Sequence, residues 1–339
     1  MSTIALFGAT GAMGRSIAAA LNRQGKAYRV VGRNEERLRR HFGADPLAEI
    51  AVWDPDSPSS IQAAAAGAET LIYTVGVDYW RFGLHPSLMH KTLEGAITAG
   101  VKRFVLISSV YSYGLVQTNP VREDHPREPH TFKGRMRKMQ EDLLMQAHAE
   151  GRISATVLRL PDFFGPSVEN GLLSMAARAA VNGGAAAMVG PIDVPHQFVY
   201  VPDVGPVVVR MLDSAAAFGR AWHFAGSGVV TQRELAEQME RETGRRLKLR
   251  VAGKTTLRLL GLFNPLMREL VEMHYLQTHP VILDDAALHG LLGNIDVTPY
   301  PEGIRQMLAA VPRHHKRGHG AKRCARQAGR EERAGADAV

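Results

Sequence analysis

A doubly wound α/β fold, a parallel sheet with helices on both faces, is predicted by three features of this sequence. Apolar runs of about six residues alternate with helical patterns through the first half. A Gly-x-x-Gly-x-x-Gly turn, Gly8-Ala9-Thr10-Gly11-Ala12-Met13-Gly14, joins the first run to the first helix. The 339 residues are 45% hydrophobic, enough for a substantial core and for one large domain with a smaller appendage.

Each element follows from its local pattern. Thr3 to Phe7 is the first strand, followed by the glycine turn and an Ala-rich helix to Arg23. Tyr28 to Gly32 is the second strand, Glu35 to His41 a short helix and Ala48 to Val52 the third strand. Ile61 to Ala66 is helical, Thr70 to Val75 is the fourth strand, and Pro86 to Ala99 makes an amphipathic helix. Arg103 to Ser108 is the fifth strand, Met136 to Ala149 a charged amphipathic helix and Ala155 to Leu160 the sixth strand. Strands separated by helices imply right-handed crossovers and a parallel sheet covered on both faces. The second half is less regular, with helices near 172–181, 204–215, 232–243 and 255–261, another starting near Pro265, and a last one at 302–310. The expected organisation is a dinucleotide-binding domain over 1–165 and a substrate-binding cap over 166–312 that returns elements to the first domain. A basic tail over 313–339 follows.

The net charge of +8 suggests a nucleic-acid binder until its distribution is read. Residues 313–339 hold eight Lys or Arg against three acids and almost no large apolar side chain. Five of the eight net charges therefore sit on a segment that cannot bury enough surface to offset its ordering entropy. The tail is expected to be disordered, and no specific nucleic-acid partner is expected. No apolar stretch approaches the ~20 residues that span a bilayer. Met1 to Phe7 lacks the basic start of a signal peptide, and the lone Cys324 excludes an internal disulfide, so a cytoplasmic location is expected. The fourteen histidines show no metal-ligand spacing, and no metal is expected.

The glycine turn carries the first functional reading. Gly8, Gly11 and Gly14 permit a tight turn and a close backbone approach, and the start of the following helix offers free N–H groups to a pyrophosphate. Thr10, Ala12 and Met13 complete that cradle. The tip of the second strand selects the dinucleotide. An NAD site usually has an acid there for the ribose 2′-hydroxyl, whereas this chain reads Gly32-Arg33-Asn34. Arg33, with Arg37 one helical turn on, suits a 2′-phosphate, so NADP(H) is favoured over NAD(H). Asp54, past the third strand, is placed to accept from the adenine amine or to cap the helix before Ser57-Pro58.

With these features the chain resembles the extended short-chain dehydrogenase/reductases, the group of NAD-dependent epimerases and dehydratases. Beside the glycine turn, the resemblance rests on Ser108-Ser109-Val110-Tyr111-Ser112-Tyr113-Gly114 after the fifth strand and on Leu158-Arg159-Leu160-Pro161-Asp162-Phe163-Phe164-Gly165-Pro166 after the sixth. Phe198-Val199-Tyr200-Val201-Pro202-Asp203-Val204 is similar to a signature of the family's substrate half. The resemblance implies a seven-stranded Rossmann sheet with a small α/β cap and substrate between them. It also implies cofactor contacts at Val75, Gly76 and Pro161. The helices at 86–99 and 136–149 correspond to those that pair across a two-fold axis in many relatives, so a homodimer is expected.

The family's catalytic Tyr-x-x-x-Lys is where the sequence departs. The stretch reads Phe132-Lys133-Gly134-Arg135-Met136-Arg137-Lys138-Met139-Gln140-Glu141. One register puts Lys133 and Arg137 at the paired positions, the other Gly134 and Lys138. The first is similar to isoflavone-reductase-like members that use a lysine. A lysine desolvated beside another cation can exchange a proton near neutrality, or it can serve as a phosphate or ribose contact. Ser109 is placed to hydrogen-bond a substrate carbonyl or alcohol, and Tyr111 is the substitute phenol. Tyr113 reads as packing, Asp203 as a helix N-cap, and Tyr79-Trp80 as a wall for an apolar or ring-bearing small molecule. The Leu-, Met- and Phe-rich run from Leu257 to Met273 reads as the cap's core or as a pocket lining. Three functions follow: an NADP(H)-dependent oxidoreductase acting on a carbonyl, alcohol or activated double bond; an epimerase or dehydratase; or a non-catalytic NADP(H)-binding sensor.

Overall fold

The computed structural model describes residues 4–169 and 171–313. The first half alternates β1 (Ile4–Phe7), α1 (Ala12–Arg23), β2 (Tyr28–Gly32), α2 (Glu35–Phe42), β3 (Ala48–Val52), α3 (Pro58–Ala65), β4 (Thr70–Tyr73), α4 (Leu84–Thr98), β5 (Arg103–Ser109), α5 (Phe132–Ala149) and β6 (Ser154–Leu160). There follow β7 (Asp162–Phe164), α6 (Ser174–Asn182), β8 (Ala185–Val189), β9 (His196–Tyr200), α7 (Val201–Leu212), β10 (Ala221–His223) and β11 (Val229–Val230). The chain closes with α8 (Gln232–Thr243), β12 (Lys248–Ala252), α9 (Lys254–Leu260), α10 (Pro265–Met273), α11 (Tyr275–Thr278), α12 (Ala286–Leu292) and α13 (Tyr300–Ala309).

The expected parallel sheet has seven strands in the order β10-β6-β5-β4-β1-β2-β3, every neighbouring pair parallel. Its inner strands are mostly apolar on both sides because each face carries its own core. Ile4 and Leu6 pack with Ile17, Leu21 and Val208 on one face, while Ala5 and Phe7 pack with Leu93, Phe104 and Leu144 on the other. β10 comes from the second half of the chain and pairs with β6, and α7 lies along α1, where Gly205 N donates to Ser16 Oγ at 3.0 Å.

Two smaller cores build the cap. Phe164, Leu173, Met188, Phe198, Leu235 and Ile304 form one, beneath the parallel pair β8–β12. The other joins Val110, Tyr113 and Val121 to Met273, Leu276 and Leu283, so it ties the segment leaving β5 to α10 and α11.

Three sequence expectations need correction. α5 begins at Phe132, four residues before the expected start, because Thr131 caps it by accepting from Gly134 N; Gly134 hides that first turn from a propensity reading. Asp203 is not an N-cap: it lies inside the first turn of α7, and its carboxylate accepts from Thr298 N and Oγ1, both at 2.7 Å. The run from Leu257 to Met273 is buried at its two ends, but Leu259, Leu260, Leu262 and Phe263 are exposed. Among the described residues no helix is long and apolar enough to cross a membrane. The tail expected to be disordered lies, from residue 314, outside the described residues.

Candidate active site

The turn between β1 and α1 is shaped by close backbone approach. Gly8 has φ +82°, and a Cβ there would stand 2.8 Å from Thr74. A Cβ on Gly14 would meet Gly8 O at 2.5 Å and the Ala9 backbone at 2.6 Å. Gly11 occupies the N-cap without a side chain to cap it, so the first N–H groups of α1, at Ala12, Met13 and Gly14, have no intrahelical acceptor. Half-buried Thr10 sits at the mouth of the turn. Val75 and Gly76 follow β4, which pairs with β1 in register, and buried Pro161 joins β6 to β7. This cradle fits a dinucleotide pyrophosphate, with free donors and the positive end of a helix dipole.

The edge beyond β2 is cationic. Arg39 and Arg40 are each paired one turn along α2, with Glu35 and Glu36. Arg33 and Arg37 are exposed and have no partner among the described residues. Arg15, on the first turn of α1, joins them. Burial, then Arg37, lowers its pKa, and its Nε is buried without an acceptor. His41 is likewise pushed down, by burial and then by Arg15, Arg37 and Arg40. A cleft of about 390 Å³ beside them is lined by Arg33, Val52, Trp53, Asp54, Pro55 and Ser60. Trp53 stands edge-on to Phe7, ring centres 5.0 Å apart. Asp54 does not cap α3, since Ser57 does; its carboxylate accepts from Asp56 N at 2.9 Å.

At the carboxyl end of β5 two adjacent serines part company. Ser108 Oγ donates to Glu141 at 2.6 Å. Glu141 also accepts from Arg127 and from both Nε and Nη2 of Arg159, whose Nη1 reaches Tyr113 Oη at 2.6 Å. Tyr113 also bonds His223, so Glu141 and Tyr113 belong to a buried structural network. Ser109 Oγ is buried with no hydrogen-bond partner.

Two residues on, Tyr111 Oη bonds Tyr79 Oη. Burial raises both phenols, Tyr79 to about 12 and Tyr111 well above its ordinary value. Lys133, buried at the first turn of α5, sends Nζ to Glu269 at 2.5 Å and Glu272 at 2.7 Å on α10, and lies 5.5 Å from the Tyr79 ring centre. Arg137, one turn later, stacks 5.2 Å from the Phe82 ring centre and donates to Gln140; burial lowers its pKa. The other register does not converge. Lys138 pairs with Asp142, and Gly134 is pressed against Tyr111 O, 2.7 Å from where a Cβ would stand. Asp162 bonds His196 at 2.6 Å, and its charge raises Tyr79, Tyr111 and Tyr275 after burial has done so. Tyr275 Oη is buried and unpartnered. Trp80, beside Tyr79 in sequence, turns outward.

Sequence reasoning brought Ser109, Tyr111, Lys133 and Arg137 together but missed Arg15, Asp162, His196, Glu269, Glu272 and Tyr275. Arg15 was legible as a basic residue directly after the third glycine. Glu269 and Glu272 are three apart, which places them on one side of α10, but nothing local ties them to Lys133, more than a hundred residues away. Among the described residues no cluster of His, Cys, Asp and Glu could hold a metal ion.

The sequence model of the NAD dependent epimerase/dehydratase family matches residues 4–224. The chain belongs to that family. Its enzymes use a nicotinamide dinucleotide, which agrees with the fit of the glycine cradle. The chain is 27% identical over 257 residues to Arabidopsis thaliana NADH dehydrogenase [ubiquinone] 1 alpha subcomplex subunit 9, mitochondrial, covering 72% of this chain and 59% of that protein. It is 28% identical over 167 residues to the 2'-dehydrokanamycin reductase of Streptomyces kanamyceticus, covering 46% of this chain and 47% of that one. It thus spans about half to three-fifths of the length of these curated relatives. The Bordetella bronchiseptica enzyme WbmH, solved with NAD+, shares the fold with a TM-score of 0.71 at 20% identity over 91% of this chain and 98% of that one.

Proposed function

We propose that this protein is an NADP(H)-dependent oxidoreductase acting on a ring-bearing carbonyl or alcohol. The observation that carries the reading is Ser109: a buried, unpartnered hydroxyl at the carboxyl end of β5, two residues before a buried phenol pair. In open α/β sheets ligands bind at that end. The bound dinucleotide supplies or accepts the hydride. Ser109 donates its O–H to the substrate oxygen, and Tyr111 passes a proton to it. Burial keeps Tyr79 and Tyr111 protonated near neutrality, so both act as donors. Charge left on the phenol pair is met by Lys133 and Arg137. Lys133, which the sequence offers for the proton itself, has two of its N–H bonds committed to Glu269 and Glu272, so it acts here as a positioning cation.

The preference for NADP(H) is supported by Arg33 and Arg37, which have no ion-pair partner among the described residues, and by Arg15, whose Nε is buried without an acceptor. Tyr79, Phe82 and Tyr275 offer aromatic walls, which suit a ring-bearing substrate. α4 and α5 pack side by side, and we infer that the pair meets its counterpart in a second copy across a two-fold axis; twice the chain mass by light scattering is the expected result.

The test is calorimetric titration of NADP+ and NAD+, followed by NADPH oxidation against a panel of cyclic ketones. Tight NADP+ binding with turnover lost in Ser109→Ala supports the reading. An epimerase or dehydratase is the second reading, favoured by the two carboxylates, Glu269 and Glu272, at the reaction end. Purified protein that retains dinucleotide and turns over with no net NADPH consumption selects it.

A further inference from the structure

From Gly244 to Arg268 the chain carries seven Lys or Arg and no Asp or Glu. The fold sets several of these charges around an apolar tip. α9 ends at Leu260, and the chain reverses through Gly261, where a Cβ would stand 2.9 Å from Arg268 Cα. That tight reversal leaves Leu262 and Phe263 standing outward, 75% and 90% exposed, beside Leu259 and Leu260 at 62% and 46%. The turn is well built. Asn264 caps α10 by accepting from Leu266 N and Met267 N, and Pro265 starts the helix. Lys254 and Arg258, one turn apart on α9, are exposed with no acidic partner among the described residues, and exposed Arg268 flanks the turn on α10, 3.8 Å from Glu269, which also holds Lys133.

Isolated exposed apolar residues are ordinary. Four on one turn, with Lys254, Arg258 and Arg268 on the flanking helices, form a convex tip that needs either a matching concave protein or a fluid surface. The excess of positive charge, two of whose three side chains have no acid beside them, decides between them: apolar side chains enter the acyl boundary of a bilayer while Lys and Arg meet anionic headgroups.

We propose that the α9–α10 turn is a peripheral membrane-binding element that seats the cap on an anionic lipid bilayer. Leu259, Leu260, Leu262 and Phe263 enter the interface, and Lys254, Arg258 and Arg268 contact headgroup phosphates. The proposal is independent of the reaction assigned above. It bears on that site through one helix, because α10 runs on from this turn to Glu269 and Glu272, which hold Lys133.

The experiment is co-sedimentation of the full chain with vesicles of mixed phosphatidylcholine and phosphatidylglycerol, against phosphatidylcholine alone. Each Lys or Arg at an anionic surface raises partitioning about fivefold, so binding to the mixed vesicles is expected to be strong and to fall with salt. Replacing Leu262→Ser together with Phe263→Ser is expected to weaken it about tenfold or more at unchanged unfolding temperature. Emission from Phe263→Trp, taken as the difference from wild type, is expected to shift to the blue on the mixed vesicles. Absence of binding overturns the proposal. So does binding that survives the double substitution, which would assign it to the basic residues beyond 313. A molecular mass that falls on the double substitution without vesicles also overturns it, because the tip would then be a contact between copies.

Discussion

The two ends of the candidate site are built on opposite terms. At the adenosine end, a glycine turn, a helix start, Arg33 and Arg37 come from neighbouring segments and leave their donors open, and Arg15 beside them keeps Nε without an acceptor. At the reaction end, Lys133, Asp162, Glu269 and Glu272 come from distant segments and are paired with one another or with a histidine. A site shaped for a ligand of fixed structure keeps its backbone donors and cations free, so it is written locally. A site that sets protonation and orientation is held by tertiary partners, and burial gives those groups their chemistry.

The comparison breaks most visibly at Gly14. Gly14→Val forces a side chain where a Cβ alone would stand 2.5 Å from Gly8 O. Overpacking of this kind costs about 1–3 kcal/mol, and opening the turn should abolish dinucleotide binding by calorimetry. The reaction end should keep its own contacts. If the dinucleotide still binds, the cradle is misassigned.

Lys133→Met probes the other end. Removing one member of a buried ion cluster costs about 3–5 kcal/mol. Because Glu269 and Glu272 keep 22% and 26% of their side-chain exposure, the low end of that range is expected, read as a lower unfolding midpoint. NADP+ affinity should barely move. A loss of cofactor affinity equal to that in Gly14→Val would merge the two ends into one.

Acid should act on the core beneath the reaction end. Burial, and then Arg159, pushes His223 down to about 4, and burial, then Arg137, pushes His85 down to about 2. Unfolded imidazoles take up a proton near 6.5. Between that value and the folded pKa the unfolded chain therefore binds more protons, and stability falls as pH falls. His223 alone contributes at most about 3 kcal/mol across the window from 6.5 down to 4. Denaturant midpoints measured through that window, with His223→Gln losing part of the slope, check it. A flat profile would place both rings in contact with solvent.

The finest distinction lies among the arginines. Arg33→Ala with Arg37→Ala should weaken NADP+ about 10–100-fold, the size of charged hydrogen bonds, while leaving NAD+ nearly unchanged. Equal losses for both dinucleotides would remove the 2′-phosphate from the account.

The same contrast explains what the sequence made legible. The six strands of the first half were readable because each is a short, mostly apolar run bounded by a helix, and the glycine turn because its spacing is local. Asp203 looked like a helix cap because it precedes an apolar run, yet its partner Thr298 lies far along the chain. Glu269 and Glu272 gave no local sign of facing Lys133. The exposed Leu262 and Phe263 looked like core, since hydrophobicity alone does not report which side of a turn faces water.

The central claim is most directly tested by single-turnover mixing of the protein and NADPH with cyclic ketones, following nicotinamide absorbance, for wild type and Tyr111→Phe. The account predicts hydride transfer to at least one ketone in wild type, slowed about 10²–10⁴-fold by loss of the phenolic proton. Tight NADPH binding with no transfer to any ketone in wild type would contradict it, and would make the chain a cofactor-binding protein without this chemistry.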